Sequence, residues 1–270
     1  MVINSQRTVY GLELQLSKLL DRPYTIRSNT TLNEKFSINT DVQADSGTYP
    51  GLKYYTIGVG GVGLAGGSDV YNFSKHKPTD AALFEHIPFV MRDVNNDLVG
   101  SERLKYRFRK VLLINGVEYA AYYLKLIDNN YTVNDIYTVD VTNEISKLSK
   151  FDTNNSDLLN PTPRNPISSL LGNTSAKYVT AAAKIKFSLT KTEIEEVNNV
   201  IKLLYGNVTK ALTEIGVCSG VEASLNSEPI AVNVQINFHF EVELLTQLDT
   251  NVNNEIHRSL EIGGTEPLVL

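Results

Sequence analysis

One alternation near the end of the chain constrains the fold more than any other feature. Ile230, Val232, Val234, Ile236, Phe238, Phe240, Val242 and Leu244 take every second position, with Asn233, Gln235, Asn237, His239, Glu241 and Glu243 between them. Successive side chains of a strand point to opposite faces, so this period of two specifies an extended, two-faced strand. About fifteen residues at about 3.3 Å each reach roughly 50 Å, well beyond an ordinary strand of about 5 to 6 residues. The run 176–190 alternates too, with Val179, Ala181, Ala183, Ile185, Phe187 and Leu189 on one face and Lys184, Lys186 and Ser188 on the other. It is the natural antiparallel partner, and Lys184 and Lys186 would then face Glu241 and Glu243 across the pair. Long hairpins of this kind occur in rings, tubes and adaptors, where neighbouring subunits complete the sheet, and also in sandwiches.

Shorter signals fill in the rest. Val9, Leu12, Leu16, Leu19 and Leu20 recur at helical spacing up to Asp21 and Pro23, which predicts a docking helix over 8–21. Residues 24–50 read as short strands between polar turns. Asn115-Gly116 tolerates the positive φ values of a type I′ turn and closes a hairpin between 104–114 and 117–127. Thr190 with Glu193 forms a capping box ahead of Ile194, Val197, Ile201 and Leu204, on a helix that Gly206 can end. From 147 to 174 the composition turns to Asn, Asp, Ser and Pro and the periodicity fades. The expected organisation is an N-terminal β-rich domain at 1–148, a linker or long loop at 149–175, and a C-terminal domain at 176–270 with the long hairpin and an extended tail. The fold class is α+β and β-rich, with antiparallel sheets, long hairpins and two or three helices.

Bulk properties exclude several classes of function. A chain of 270 residues with 42% hydrophobic and 20% charged residues folds around a core, which rules out wholesale disorder. A net charge of -5 gives no general attraction to phosphate backbones. The basic run Arg103, Lys105, Arg107, Arg109 and Lys110 alternates with Leu104, Tyr106 and Phe108 and reads as a paired strand face, so no sequence-specific nucleic-acid role is expected. Cys218 stands alone, which points to folding in a reducing compartment such as a cytoplasm. Neither a secretory h-region nor 18 consecutive apolar residues is found, so no membrane association is expected.

The constellations that suggest chemistry are weak. Gly58, Gly60 and Gly63 satisfy GxGxxG after an apparent strand, yet Gly61, Gly66 and Gly67 prolong the glycine run and leave no helix N-terminus for a pyrophosphate. The run reads as a flexible or close-packed loop that orders against a neighbouring subunit. His76, His86, His239 and His257 are not at metal-ligand spacing, and Val217 breaks a GxSxG turn at Ser219. Asp93 with Asp97, and Glu241 with Glu243, can be drawn as acid/base pairs but fit a turn and a solvated sheet face. No catalytic residue, cofactor or metal is assigned.

One stretch carries a family likeness. His76-Lys77-Pro78-Thr79-Asp80-Ala81-Ala82-Leu83-Phe84-Glu85-His86-Ile87-Pro88-Phe89-Val90-Met91-Arg92, then Asp97-Leu98, Glu102-Arg103-Leu104-Lys105-Tyr106-Arg107 and Asn115-Gly116-Val117-Glu118-Tyr119-Ala120-Ala121-Tyr122-Tyr123-Leu124-Lys125, resembles segments of virion structural proteins of tailed bacteriophages. The resemblance covers about 50 residues and implies a structural subunit of the neck, tail or baseplate, a homo-oligomer made in a host cytoplasm that contacts other virion structural proteins in a ring or collar of the virion. Such proteins work through interfaces. The residues expected at subunit contacts are Gly58, Gly60, Gly61, Gly63, Tyr106, Arg107, Tyr122, Tyr123, His239 and Glu241, with Leu268 and Leu270 at the apolar tip of a flexible stem. The alternatives are a carbohydrate-binding module or glycoside hydrolase, against which the absence of Trp argues, and a non-viral cytosolic adaptor.

Overall fold

The alternating patterns become strands in a computed structural model that describes residues 4–44, 48–64, 71–127, 133–142, 145–150, 176–206, 210–241 and 256–268. The first half holds β1 (Asn4–Arg7), α1 (Val9–Leu19), α2 (Leu32–Phe36), β2 (Gly51–Gly58), β3 (Val62–Leu64), β4 (Tyr71–Phe73), β5 (His86–Ile87), β6 (Val90–Asp93), α3 (Gly100–Leu104), β7 (Tyr106–Ile114) and β8 (Val117–Leu126). The second half holds β9 (Val133–Thr142), β10 (Ile145–Lys150), β11 (Ala176–Leu189), α4 (Lys191–Tyr205), β12 (Glu214–Leu225), β13 (Glu228–Glu241) and β14 (Ile256–Leu268). The fold is α+β and β-rich, dominated by antiparallel sheets.

Two compact units share the chain: 1–127 with 189–256, and 128–188 with 257–270. These boundaries differ from those drawn on composition, because strands from both halves of the chain enter one sheet. In the first unit the order is β1-β13-β12-β2-β8-β6, with β5 on β2 and β7 on the other edge of β8. β2 and β8 pair only where Tyr54 meets Leu126 and Tyr55 meets Lys125. Beyond that point they splay, and the β5–β6 segment enters the gap, with Ile87 opposite Ile57 and Val90 opposite Tyr122. The sheet coils enough for Arg103, just ahead of β7, to reach Glu228 at the start of β13 (3.3 Å). Tyr54, Leu83, Phe108, Leu124, Cys218, Val234 and Ile236 fill its interior, joined by Val200 of α4.

The long strand forms as expected over 228–241, but its partner is not β11. It pairs with β12 through the tight turn Asn226-Ser227, where both residues have positive φ (51° and 66°). β12 was hard to see in the sequence for a physical reason. Both of its faces are largely buried and the register slips at Val217/Cys218 and Ser219/Val221, so no period of two survives. β11 instead pairs with β9, which places Lys184 opposite Val133 rather than a glutamate. In the second unit the order is β10-β9-β11-β14. Residues 256–268, read as a flexible stem, are a strand of that sheet, with Leu268 at its end; Leu270, Val242, Glu243, Leu244 and most of the 149–175 segment lie outside the described residues.

The expected polar face of β13 is also covered. Gln235, Asn237 and His239 are buried, because α1 and the 76–80 segment lie on that face. Thr8 caps α1 by accepting the Gly11 N–H (3.1 Å), while its own hydroxyl donates to the Ile236 carbonyl (2.7 Å). Gly11 abuts β13 so closely that a Cβ would lie 2.9 Å from Asn237. α1 therefore docks through Thr8, Gly11 and Leu14, and the apolar stripe expected to dock faces outward. α4 follows the sequence closely, with a complete capping box at Thr190/Glu193 and Gly206 after its last turn. Glu193 also pairs with Lys125 (2.6 Å) and accepts from the Tyr106 hydroxyl (3.2 Å), so the cap residue fastens the helix to the sheet.

Candidate functional site

The polar groups that the fold draws together most tightly meet where the end of β2, the 76–86 segment and the start of β12 converge. Glu214 is 2% exposed. Its Oε1 accepts from the backbone N–H of Gly60 (2.8 Å) and Glu85 (3.2 Å). Its Oε2 accepts from the N–H of Phe84 (2.8 Å) and lies 2.8 Å from His76 Nε2. A carboxylate taken out of water needs such donors, and oriented backbone amides supply a partial positive field. The glycines explain themselves here. A Cβ on Gly58 would lie 2.6 Å from the Glu85 carbonyl, and one on Gly60 would lie 2.6 Å from the Glu85 nitrogen and 2.8 Å from Glu214 Oε1.

His76 is the second half of the node and is 5% exposed. Its Nδ1 lies 3.3 Å from Asp80 Oδ2, so both ring nitrogens face carboxylates, and its backbone N–H donates to Glu241 Oε1 (3.2 Å). Its ring stacks on His239 at 4.0 Å and on Phe84 at 4.2 Å between centroids. His239 Nε2 bonds the Asp80 carbonyl (3.0 Å), and burial, followed by the nearby His76, pushes its pKa down to about 4. His86, below the node, accepts the Leu83 N–H at Nε2 (3.0 Å) and bonds Thr56 through Nδ1 (3.1 Å); burial pushes it down to about 3.

An Asp–His–Glu line has the components of a proton relay, but this one presents no free edge to a substrate. All four donor positions around Glu214 are taken by its own chain, and both faces of the His76 ring are covered. Its physical work is to tie the glycine loop, the 76–86 segment and the β12–β13 hairpin together. The other carboxylates considered as acid/base partners are likewise engaged where they fall among the described residues. Asp97 accepts from Arg109 Nε and the Tyr122 hydroxyl (2.8 Å each), and Asp93 accepts the Asn95 N–H (2.8 Å). Burial alone would raise the Asp97 pKa, but the bonds from Arg109 and Tyr122 hold it below the ordinary value. Burial drives the Cys218 thiol far upward, which removes it as a nucleophile at neutral pH.

A family model described as a family of unknown function (DUF7208) matches residues 2–270. The chain belongs to this family. No curated protein and no solved structure matches it. The match runs through both units of this DUF7208 chain.

Several residues expected at subunit contacts are internal. Tyr106, Arg107, Tyr122 and Tyr123 are buried, because tyrosine rings fill the sheet interior and Arg107 is neutralised by Glu222 (2.9 Å). His239 and Gly58 are buried in the node, Gly60 and Gly61 pack on the chain's own Phe84, and half-buried Glu241 holds His76. Gly63 sits in β3, paired with Asn72. The basic run is spent on Glu102, Asp97, Glu222, Glu228 and the Phe36 carbonyl. Sequence reasoning missed Glu214, which differs from any strand-edge glutamate only in being followed by the apolar run Ile215 to Cys218. Among the described residues the surface also presents apolar side chains, including Val9, Leu12, Leu16 and Leu19 of α1, and Val111, Leu113 and Val117 beside the β7–β8 turn.

Proposed function

We propose that the protein is a self-associating structural subunit, built into a tailed bacteriophage particle as a ring or collar of the neck, tail or baseplate. The observation that carries this reading is the outward stripe of α1. Val9, Leu12, Leu16 and Leu19 are 42%, 43%, 48% and 79% exposed, on a helix whose opposite side is already docked. Their spacing of three, four and three residues is that of a helix–helix seam, which buries one side chain per half-heptad against a partner helix. The likeness of 76–125 to phage virion proteins supplies the particle. Each subunit in a closed ring is held by two neighbours, so modest pairwise contacts sum to a durable assembly.

The test is the solution mass by light scattering, for the wild type and for a Leu12→Glu/Leu16→Glu variant, together with sedimentation in the presence of phage particles. The reading expects a wild-type oligomer that co-sediments, and a variant of unchanged far-UV circular dichroism that does neither. A wild type that remains a monomer and ignores particles overturns it.

A further inference from the structure

We infer that the open edge of β7 at Val111–Ile114 is a second self-association surface, which pairs antiparallel with the same segment of another copy of this chain. The inference rests on the reading of the protein as a self-associating subunit. Two residues, Asn115 and Gly116, join β7 to β8, so Ile114 and Val117 close the hairpin. In such a ladder the closing pair and every second pair before it exchange hydrogen bonds. Ile114 and Leu112 therefore turn their N–H and C=O groups toward β8, while Val111 and Leu113 turn theirs outward. Among the described residues no strand pairs with β7 on that side, and no backbone group bonds Val111 or Leu113 there.

Elsewhere the first unit closes such edges with its own side chains. At the other end of β7 the Tyr106 carbonyl accepts from Arg103 (3.0 Å) and Arg107 (2.9 Å). On the stretch of β13 that β1 does not reach, Asn33 donates to the Ala231 carbonyl (3.0 Å) and accepts the Val234 N–H (2.8 Å). An unpaired edge is a template for another chain, and a charge, a proline or a cover is the usual defence. Val111-Leu112-Leu113-Ile114 contains neither charge nor proline, and Val111 and Leu113 are 43% and 71% exposed.

The occupant is a second copy because the segment complements itself. With a twofold axis at Leu112, Val111 of each copy lies opposite Leu113 of the other. Each of these pairs exchanges both of its N–H···O bonds, which satisfies every outward backbone group of the two residues. Their side chains then share one face and bury each other. No like charges meet, since Lys110 falls opposite Ile114 and its Nζ is turned to the Phe36 carbonyl (3.1 Å). Four residues a side bury far less than the roughly 1,200 Å² of a stable interface. A ring held by α1 presents many such edges together, which raises the effective concentration of each. Being twofold, the contact closes on two copies and joins one ring to a second.

The register is tested with Val111→Cys and Leu113→Cys, single variants at exposed positions, one of them carrying a histidine tag. Cys218 is buried and does not compete. Opposed Cα atoms about 5.5 Å apart suit a disulfide, whereas positions two residues out of register do not. Under mild oxidation the equal mixture is expected to yield at least tenfold more cross-linked dimer than either variant alone. In the wild type, exchange of the Val111 and Leu113 amide protons is expected to slow at least tenfold in the oligomer relative to the diluted chain. An oligomer by light scattering whose mixture cross-links no better than the single variants, or whose two amides exchange as in the diluted chain, overturns this inference and leaves the α1 seam standing. A monomer that still forms the mixed disulfide supports the β7 edge and overturns the α1 seam; a monomer that does not overturns both.

Discussion

Glu214→Gln removes one charge and no volume, and it should cost more than any surface change in the molecule. In the native chain the two carboxylate oxygens share four donors, from Gly60, Glu85, Phe84 and His76. An amide offers one oxygen and one NH₂. If the NH₂ replaces Oε1, the Gly60 and Glu85 N–H groups both meet a donor. If it replaces Oε2, His76 can switch tautomer and accept, but the Phe84 N–H is still orphaned. An orphaned buried N–H costs about 1–3 kcal/mol, and a charged acceptor makes each surviving bond stronger than a neutral one does. Removing one partner of a buried ionic group costs about 3–5 kcal/mol in comparable settings, and we expect a loss of that size. Urea unfolding followed by far-UV circular dichroism measures it. Amide exchange at Gly60, Phe84 and Glu85 then locates it, since those protons should lose protection first. A variant within about 1 kcal/mol of wild type, with unchanged exchange at those amides, would refute the idea that Glu214 organises the node.

Gly60→Ala tests the same node from the glycine side: its Cβ would press on the Glu85 nitrogen at 2.6 Å and on Phe84 Cβ at 2.7 Å, and overpacking of this kind costs about 1–3 kcal/mol by thermal or urea unfolding. A Gly60→Ala chain as stable as wild type would show that the loop yields freely. The histidines predict acid sensitivity. Burial holds His86 and His239 at about 3 and about 4, against 6.5 for the unfolded chain, so below pH 6.5 the unfolded state binds more protons than the folded state. Their stabilising contribution is complete above that pH and falls as the pH drops toward the folded values, by about 2 kcal/mol for each ring at pH 5. Urea midpoints at pH 7 and pH 5 read this directly; His239→Gln should flatten the dependence, and equal midpoints for the wild type would contradict it.

Local chemistry made part of this molecule legible. The Asn115-Gly116 turn, with φ of 50° and 81°, closes β7 onto β8 where the dipeptide requires it. The capping box at Thr190 and Glu193 starts α4, and Gly206 stops it. The alternation from 230 onward is a strand, and the helical spacing after Thr8 is a helix. For the turn and the two helices the signal and the hydrogen bonds that express it lie within a few residues of one another; the strand is legible from its period of two alone, since its ladder runs to β12 and β1.

The candidate site was not legible, because its bonds join groups far apart in the chain. Gly60 and Glu214 are 154 positions apart, and His76 and Glu214 are 138 apart. The glycine run carried the right residues for backbone approach to an anion, yet nothing local said that the anion is a side chain of the same molecule. By itself the sequence determined which residues share a face of each element, since period and caps are properties of neighbouring positions. Only the tertiary structure decided what covers each face: β12 rather than β11 beside the long strand, α1 over its polar side, the leucines of that helix turned outward, and Glu214 closed in by amides. Periodicity records sidedness, whereas burial depends on which distant segment packs against that side.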